Sequence, residues 1–456
     1  MIEGKPKEWS RANIGTLCNL INGRAFKSSE WSETGLPIIR IQNLNNPEAK
    51  YNYFDGELNE KHRIESGDLL FAWSGTPGTS FGAHVWRGES AALNQHIFKI
   101  EFERSLIEKR FLLYAINQTL DVLISGAHGG VGLRHVTKGK FEAAEISFPS
   151  LAEQKVIADT LDTLLAQVDN TKARLERIPE ILKRFRQSVL AAAVSGRLTE
   201  EWNKKYTAHD EWQKISLGHL IENGPQNGIY KPIKLYGSGC LIIRIDSFYD
   251  GLIADWEKLK RVQLSPSEIK KWQVHKEDIL INRVNSIEYL GKSALVKDLL
   301  EPAVFESNVM RLSLKRGLAN PEFISLFLRS PVGLEQLRAN AKLAVNQASI
   351  NQNDVKSCLL ALPSLEEQAE IVRRVDQLFA YADTVERQVN SALARVNQLT
   401  QSILAKAFRG ELTTQWRADN VDLISGDNSA EALLARIKAE RAAQAPKKRT
   451  RKKAAP

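Results

Sequence analysis

Residues 148–169 read FPSLAEQKVIADTLDTLLAQVD, and residues 362–383 read LPSLEEQAEIVRRVDQLFAYAD. The two stretches stay in step, without a gap, as far as SVLAAAVSGRLTEEW (188–202) and SILAKAFRGELTTQW (402–416). The offset is 214 throughout, and 19 of 55 positions are identical. So long a period is no solenoid repeat and implies a duplicated two-part unit.

Both copies carry a helical pattern. Leu161, Leu164, Val168, Leu175, Ile178, Leu182, Phe185 and Val189 recur at three- and four-residue steps in the first copy, with Thr171 a polar interruption. Val375, Leu378, Ala382, Val385, Val389, Ala392, Val396, Leu399 and Ile403 do so in the second. A 3.5-residue apolar repeat makes a narrow seam suited to helix-on-helix packing. The seams match between copies, which predicts that the two helices pack on each other. Pro149-Ser150 and Pro363-Ser364 mark the starts, and Gly196 and Gly410 the ends. Each helix is then roughly 40 residues, about 60 Å at 1.5 Å per residue, long for an ordinary bundle. Pro179 lies inside the first copy, where Leu393 stands in the second. It removes a bond to the Leu175 carbonyl and predicts a bend or break.

The segments before each helix are related to one another. EWSRANIG (8–15) matches EWQKISLG (211–218), LPIIRIQNL (36–44) matches CLIIRIDSF (240–248), and SGDLLFAWSG (66–75) matches KEDILINRVN (276–285). These runs predict strands. RFLLYAINQ (110–118) and EFISLFLRS (321–329) predict short amphipathic helices. Elsewhere the segments diverge: SGTPGTSFGAHVW (74–86) stands against VNSIEYLGKSALV (284–296), and HGGVGLRHVTKGK (128–140) against KLAVNQASINQND (342–354). A shared scaffold with unlike loops is the layout of a recognition module. The expected boundaries are 1–150 and 203–362 for two α/β domains, 151–202 and 363–416 for the helices, and 417–456 for a C-terminal segment.

Bulk properties exclude little. The net charge is +9, but residues 436–456 hold nine Lys or Arg and one acid, leaving about +1 for the rest. No apolar run is long enough to cross a membrane. MIEGKPKEWSR has no hydrophobic signal core, which argues against secretion. Cys18, Cys240 and Cys358 stand far apart, as in a reducing cytoplasm. The eight histidines form no HExxH and pair with no CxxC, so a metal site is unsupported. SGTPGTS (74–80) lacks the lysine of a phosphate loop, and GAHGGVG (126–132) lacks the strand-turn-helix GxGxxG form. There is no Asn/Asp-Pro-Pro-aromatic motif of adenine methyltransferases.

The framework strands, the PSLAEQK and PSLEEQ helix starts, and the SGRLTEEW and RGELTTQW helix ends resemble the specificity subunit (HsdS) of Type I restriction–modification enzymes. The basic tail and LAQVDNTKARLERIPEILKRFRQSVL (165–190) look most like the K-type branch. The resemblance implies two target-recognition domains, each for one half of a split site in double-stranded DNA. It implies that the helices act as spacer and as docking surface for two modification subunits, which methylate adenine with S-adenosylmethionine. Restriction subunits, with ATP and Mg, would join them. This chain would bind no cofactor, do no chemistry, and work in the bacterial cytoplasm. Unlike domains on a spacer suit half-sites with centres about 10 base pairs apart. The alternatives are a coiled-coil scaffold with two adaptor domains, which would bind no DNA selectively, and a standalone methyltransferase or nuclease.

Candidate DNA contacts follow from residue type and place. Arg40 and Arg244 end matched strands and suit phosphate contact or a structural ion pair. Trp73, Ser74 and Thr76 follow a strand and suit base edges or a strand cap. Arg134 and His135 lie in a glycine-rich loop. Asn282, Arg283 and Asn285 occupy the corresponding place in the second segment. Asn346, Gln347 and Asn351 suit adenine, or caps. The tail KKRTRKK (447–453) is a nonspecific DNA arm or a solubility tail.

Overall fold

The computed structural model describes residues 5–46, 48–75, 81–120, 134–206, 211–253, 255–345 and 347–444. The chain forms two compact units. One combines Met1–Ala173 with Leu393–Pro456, and the other is Arg174–Ala392. Each unit therefore holds one variable segment, the start of the helix that follows it, and the end of the other helix.

Unit 1 runs through β1 (Ser10–Asn13), β2 (Asn19–Asn22), β3 (Leu36–Ile39), β4 (Asn52–Phe54), β5 (Arg63–Ile64), β6 (Leu69–Ala72), β7 (Ser74–Gly75), β8 (Gly82–Val85), β9 (Ala91–Leu93), β10 (Ile97–Glu101), helix α1 (Lys109–Gln118), β11 (Arg134–His135) and β12 (Glu145–Phe148). Its sheets have the orders β2-β10-β6-β8, β4-β3-β9-β5, β1-β12 and β7-β11. Helix α2 (Leu151–Val194) leads from unit 1 into unit 2.

Unit 2 runs through β13 (Gln213–Ser216), β14 (Ile221–Asn227), β15 (Tyr236–Ile243), β16 (Phe248–Tyr249), β17 (Leu252–Ile253), β18 (Lys260–Val262), β19 (Ile279–Asn282), β20 (Val284–Asn285), β21 (Ser293–Leu295), β22 (Ala303–Phe305), β23 (Val309–Leu314), helix α3 (Pro321–Arg329), β24 (Lys342–Ala344), β25 (Gln347–Ser349) and β26 (Leu359–Leu362). Its principal sheets are β14-β23-β19-β21, β18-β15-β22, β13-β26 and β20-β25-β24. Both units thus share a four-stranded antiparallel sheet, a first strand paired with the last, and one parallel pair, β3 with β9 and β15 with β22. Every residue of β6 (LLFA) and β19 (ILIN) is buried, which explains why those runs do not alternate. Helix α4 (Leu365–Phe408) returns to unit 1, where α5 (Ala430–Gln444) sets Leu433 and Ile437 into the same core as Leu17 and Ile107.

Of two local expectations, one narrows and one needs correction. Of the bend or break expected at Pro179, there is no break: helix α2 runs through it. Pro179 itself is exposed. LPIIRIQNL is not one strand: β3 ends at Ile39, and Ile41–Asn45 is a short helix. Asn43 Oδ1 accepts from Arg40 N at 3.1 Å, ending the ladder as a cap does. In unit 2, Ser247 Oγ takes the same role toward Arg244 N, at 2.9 Å.

The helix seam is buried in part. In unit 1, Leu161 and Val168 share a core with Ile403, Ala407 and Phe408, and Leu164 and Val396 pack at its edge. In unit 2, Val189, Leu190 and Ala193 share a core with Ile371, Val372 and Val375, with Phe185 and Leu378 at the edge. In both, the start of one helix meets the end of the other, which is antiparallel packing. Leu182 and Val389 are also buried, and Leu175 and Val385 are half-buried. Leu399, expected on the seam, is 48% exposed. Arg186 adds ion pairs to Asp383 (2.7 Å) and Glu386 (2.8 Å).

The repeated PSLxEQ motif has one mechanical role in both units. Ser150 and Ser364 cap their helices, accepting from Glu153 N (3.3 Å) and Glu367 N (3.2 Å). Gln154 accepts from Glu108 N at 3.0 Å, and Gln368 from Asn320 N at 2.7 Å, which holds the starts of α1 and α3. Glu153 is wholly buried and accepts from Trp9 Nε1 (3.2 Å), Thr413 Oγ1 (2.6 Å) and Arg417 Nη1 (2.6 Å). Glu367, also buried, accepts from Trp212 Nε1 (3.1 Å), Thr199 Oγ1 (2.7 Å) and Asn203 Nδ2 (3.0 Å). One carboxylate thus ties together the residue just before a domain's first strand, the start of the long helix after that domain and the segment that follows the other long helix.

Candidate nucleic-acid interface

In both units the fully buried strand gives way to a polar stretch at one place. In unit 1 Trp73 follows β6, Ser74 and Gly75 pair with His135 and Arg134, and Val136 N donates to Trp73 O at 3.0 Å. In unit 2 Arg283 follows β19, Val284 and Asn285 pair with Ser349 and Ala348, and Ile350 N donates to Arg283 O at 2.9 Å. Trp73 Nε1 donates to Gln95 O (3.2 Å), and Arg283 Nη1 donates to Ser307 O (3.2 Å). These acceptors hold matching places in their turns. The frame is the same, and the side chains on it differ.

The candidate residues fall into several groups. Trp73 packs on His96 (5.2 Å between ring centres) and Phe98 (5.9 Å), while Ser74 is buried. Asn282 is fully buried, donates to Ile245 O (3.3 Å) and leaves its Oδ1 without a partner. Asn285 Oδ1 accepts from Ser286 N at 2.8 Å. Gln347 is exposed on β25, whose hairpin with β24 presents Leu343 (75% exposed) and Val345 (92%). Asn351 is a helix cap: its Oδ1 accepts from Asn353 N (2.8 Å) and Asp354 N (3.3 Å), so the capping alternative holds there. Arg134 and His135 are placed by their backbone on β11. Thr76, Asn346, the glycine-rich stretch 126–132 and the basic tail 447–453 lie outside the described residues.

The two matched arginines have different surroundings. Arg244 pairs with the buried Glu306 (3.1 Å) and sits over the Tyr236 ring (5.9 Å). Arg40 makes no ion pair among the described residues, and its guanidinium lies 4.9 Å from the centre of the exposed Trp31 ring. Of the two readings, the ion pair is present at Arg244, and among the described residues the Arg40 guanidinium makes only the contact with Trp31.

Several surface groups were not foreseen. Lys292 Nζ lies 3.5 Å from the Tyr249 ring centre, with Phe248 and Tyr289 around it, and burial lowers its pKa. Exposed Tyr249, Ile287 and Tyr289 lie in or near the same segment. The turns 94–96 and 306–308 were also missed. Their signal is present in the sequence: ALNQHIF (92–98) and VFESNVM (304–310) keep one apolar frame around three polar residues that all differ. Among the described residues no group of His, Cys, Asp or Glu is arranged to hold a metal ion, and no helix is long and apolar enough to cross a membrane.

The model of the Type I restriction modification DNA specificity domain matches residues 6–180 and 209–395. The chain is 42% identical to the EcoBI specificity subunit of Escherichia coli, over 98% of this chain and 95% of that one. It is 40% identical to the EcoKI specificity subunit of Escherichia coli strain K12 (99% and 100%) and 41% identical to the StySPI specificity subunit of Salmonella potsdam (100% and 100%). Among solved structures, a chain from a study of assembly and conformational transition of the type I R-M system matches with TM-score 0.66 and 19% identity, over 89% of this chain and 99% of that one. The HsdS subunit from Thermoanaerobacter tengcongensis matches with TM-score 0.53 and 19% identity, over 89% and 98%. These two likenesses speak for the fold.

Proposed function

Because the chain belongs to the family of Type I restriction–modification specificity subunits, the non-catalytic part of those enzymes, we propose that it reads an asymmetric DNA site in two halves, one per variable segment. Residues 1–150 and 203–362 are the two recognition domains, and the helices 151–202 and 363–416 set the separation of the half-sites. Those helices also dock two copies of a modification subunit, since a duplicated docking surface calls for two copies of one partner. S-adenosylmethionine belongs to the modification subunit, and ATP with Mg to the restriction subunit. The working place is the bacterial cytoplasm.

The observation that carries the reading is the matched frame with unlike side chains after β6 and β19. A scaffold has no reason to keep a backbone fixed while exchanging Trp73 for Arg283 and Ser74 for Val284. Base readout needs that arrangement, because phosphate contacts fix the register while a few variable groups choose the bases. Trp73, Ser74, Thr76, Arg134 and His135 serve one half, and Asn282, Arg283, Asn285, Asn346 and Gln347 the other. Arg40 contacts phosphate. Asn351 and Arg244 support their loops.

The test is a methylome. The chain is co-expressed with a matching modification subunit in a host without its own system, and N6-methyladenine is mapped by long-read sequencing. A new split motif, with one methylated adenine in each half about a helical turn apart, is expected. Verified assembly without any new motif would overturn the reading in favour of the scaffold.

A further inference from the structure

The turn Asn94-Gln95-His96 joins β9 to β10, and Glu306-Ser307-Asn308 joins β22 to β23. The two turns are held by the same backbone bonds. Asn94 N donates to Ile39 O (3.2 Å), as Glu306 N does to Ile243 O (2.9 Å). Ile97 N donates to Asn94 O (3.1 Å), as Val309 N does to Glu306 O (2.9 Å). Trp73 N donates to His96 O (3.3 Å), as Arg283 N does to Asn308 O (2.9 Å). Gly23 N and Gly228 N reach the Ile97 and Val309 carbonyls, at 3.1 and 3.0 Å. A glycine is required at those two sites, since a Cβ would lie 2.0 Å from Asn94 O and 2.2 Å from Glu306 O. Four matched backbone hydrogen bonds fix the turn, yet no side chain of the three is shared.

Polar atoms without a partner gather here. Gln95 Oε1 in unit 1, and Asn282 Oδ1 and Arg283 Nε in unit 2, are shielded from solvent and make no hydrogen bond. Such atoms are uncommon, because leaving them unmade costs folding energy that a ligand can return. Gln95 and Arg283 are only half-buried as residues, so part of each side chain is open to an incoming groove. Their chemistry names the base. An amide carries the acceptor and donor that pair with adenine N6 and N7. Arg283 has Nη1 committed to Ser307 O, which leaves the Nε–Nη2 edge of its fork toward guanine O6 and N7.

We infer that Gln95 selects an adenine in one half-site and Arg283 a guanine in the other, each held to its base by the matched turn. This rests on the two-half reading above and goes further, in assigning one base to one side chain in each unit. The carbonyls of Gln95 and Ser307 act as fixed pegs for the side chains of Trp73 and Arg283. The polar residues of the two turns differ because the bases they face differ.

The test uses the full chain in complex with its modification subunits, with Gln95→Met, Gln95→Glu, Arg283→Met and Arg283→Lys. The first and third keep size and remove the hydrogen-bonding pattern. Methylomes are compared with that of the unaltered chain, with complex yield measured alongside. In the Gln95 variants one adenine position of one half should lose discrimination, on the order of 10- to 100-fold, the worth of a bidentate base contact. In the Arg283 variants one guanine position of the other half should do so, with the remaining positions unchanged. If the unaltered chain yields no split motif, the recognition reading itself fails. If it yields one and the variants methylate the same motif as stringently, or none of the four assembles, this inference is overturned while the recognition reading stands.

Discussion

Replacing Arg417 by alanine tests the logic of the duplicated glutamate node. Glu153 is 0% exposed, and Arg417, at 2.6 Å, is its only ion pair among the described residues. Removing one member of a buried pair leaves an uncompensated charge, a loss of about 3–5 kcal/mol. In unit 2 Glu367 is equally buried at 1%, but Asn203 replaces the arginine, and no ion pair is made among the described residues. Asn203→Ala removes one hydrogen bond to a charged group, about 1.5–3 kcal/mol. Hydrogen exchange by mass spectrometry on the complex, with peptides covering 5–20 and 408–419 or 195–216 and 363–372, separates the nodes. Arg417→Ala should speed exchange in the first pair of peptides on the order of 10²- to 10³-fold and leave the second pair alone. Asn203→Ala should do the reverse, more weakly. The reasoning is refuted if Arg417→Ala leaves unit 1 exchange unchanged, or if Asn203→Ala proves the costlier.

Three further outcomes are expected. Burial pushes the Cys18 thiol up to about 12 and the Cys358 thiol up to about 11, so both are protonated at neutral pH. A native thiol titration should label Cys240 alone, and all three only after denaturation. Arg373, then Arg374, hold the Glu370 carboxyl down to about 2. A depressed folded pKa gives stability that is present above the unfolded value near ~4.3 and lost as pH falls toward about 2. Glu370→Gln should flatten acid unfolding in that window and leave stability above pH ~5 without a slope from this group. Arg40→Ala should weaken DNA binding evenly across sequences and reduce the slope of log affinity on log salt by about 1, whereas Arg244→Ala should destabilise unit 2 through the stranded Glu306.

The helices were legible because periodicity and a repeat reinforce one another: the steps of Leu161, Val168, Leu182 and Val189 recur 214 residues later as Val375, Ala382, Val396 and Ile403. Leu399 escaped the pattern because periodicity gives a face, not the local depth of the partner beside it. The part played by Glu153 was hidden, since its partners lie at Trp9, Thr413 and Arg417, far away in sequence. The domain frames were legible from paired apolar runs, but the end of β3 was set by the Asn43 side chain, which competes with the ladder. Residue type alone put Asn351 among the base readers, and geometry made it a cap. Gln95 and Ser307 were passed over because a three-residue polar turn between two strands looks like any loop. Only matched hydrogen bonds show that it is one place seen twice.

The most direct measurement exchanges residues 203–362 for the corresponding segment of the 40% identical EcoKI subunit, keeping both helices, and maps the methylated motif of the hybrid. One half of the motif should change, with the other half and the distance between the halves kept. Change in both halves, or in neither, would contradict the assignment of one half-site to each variable segment.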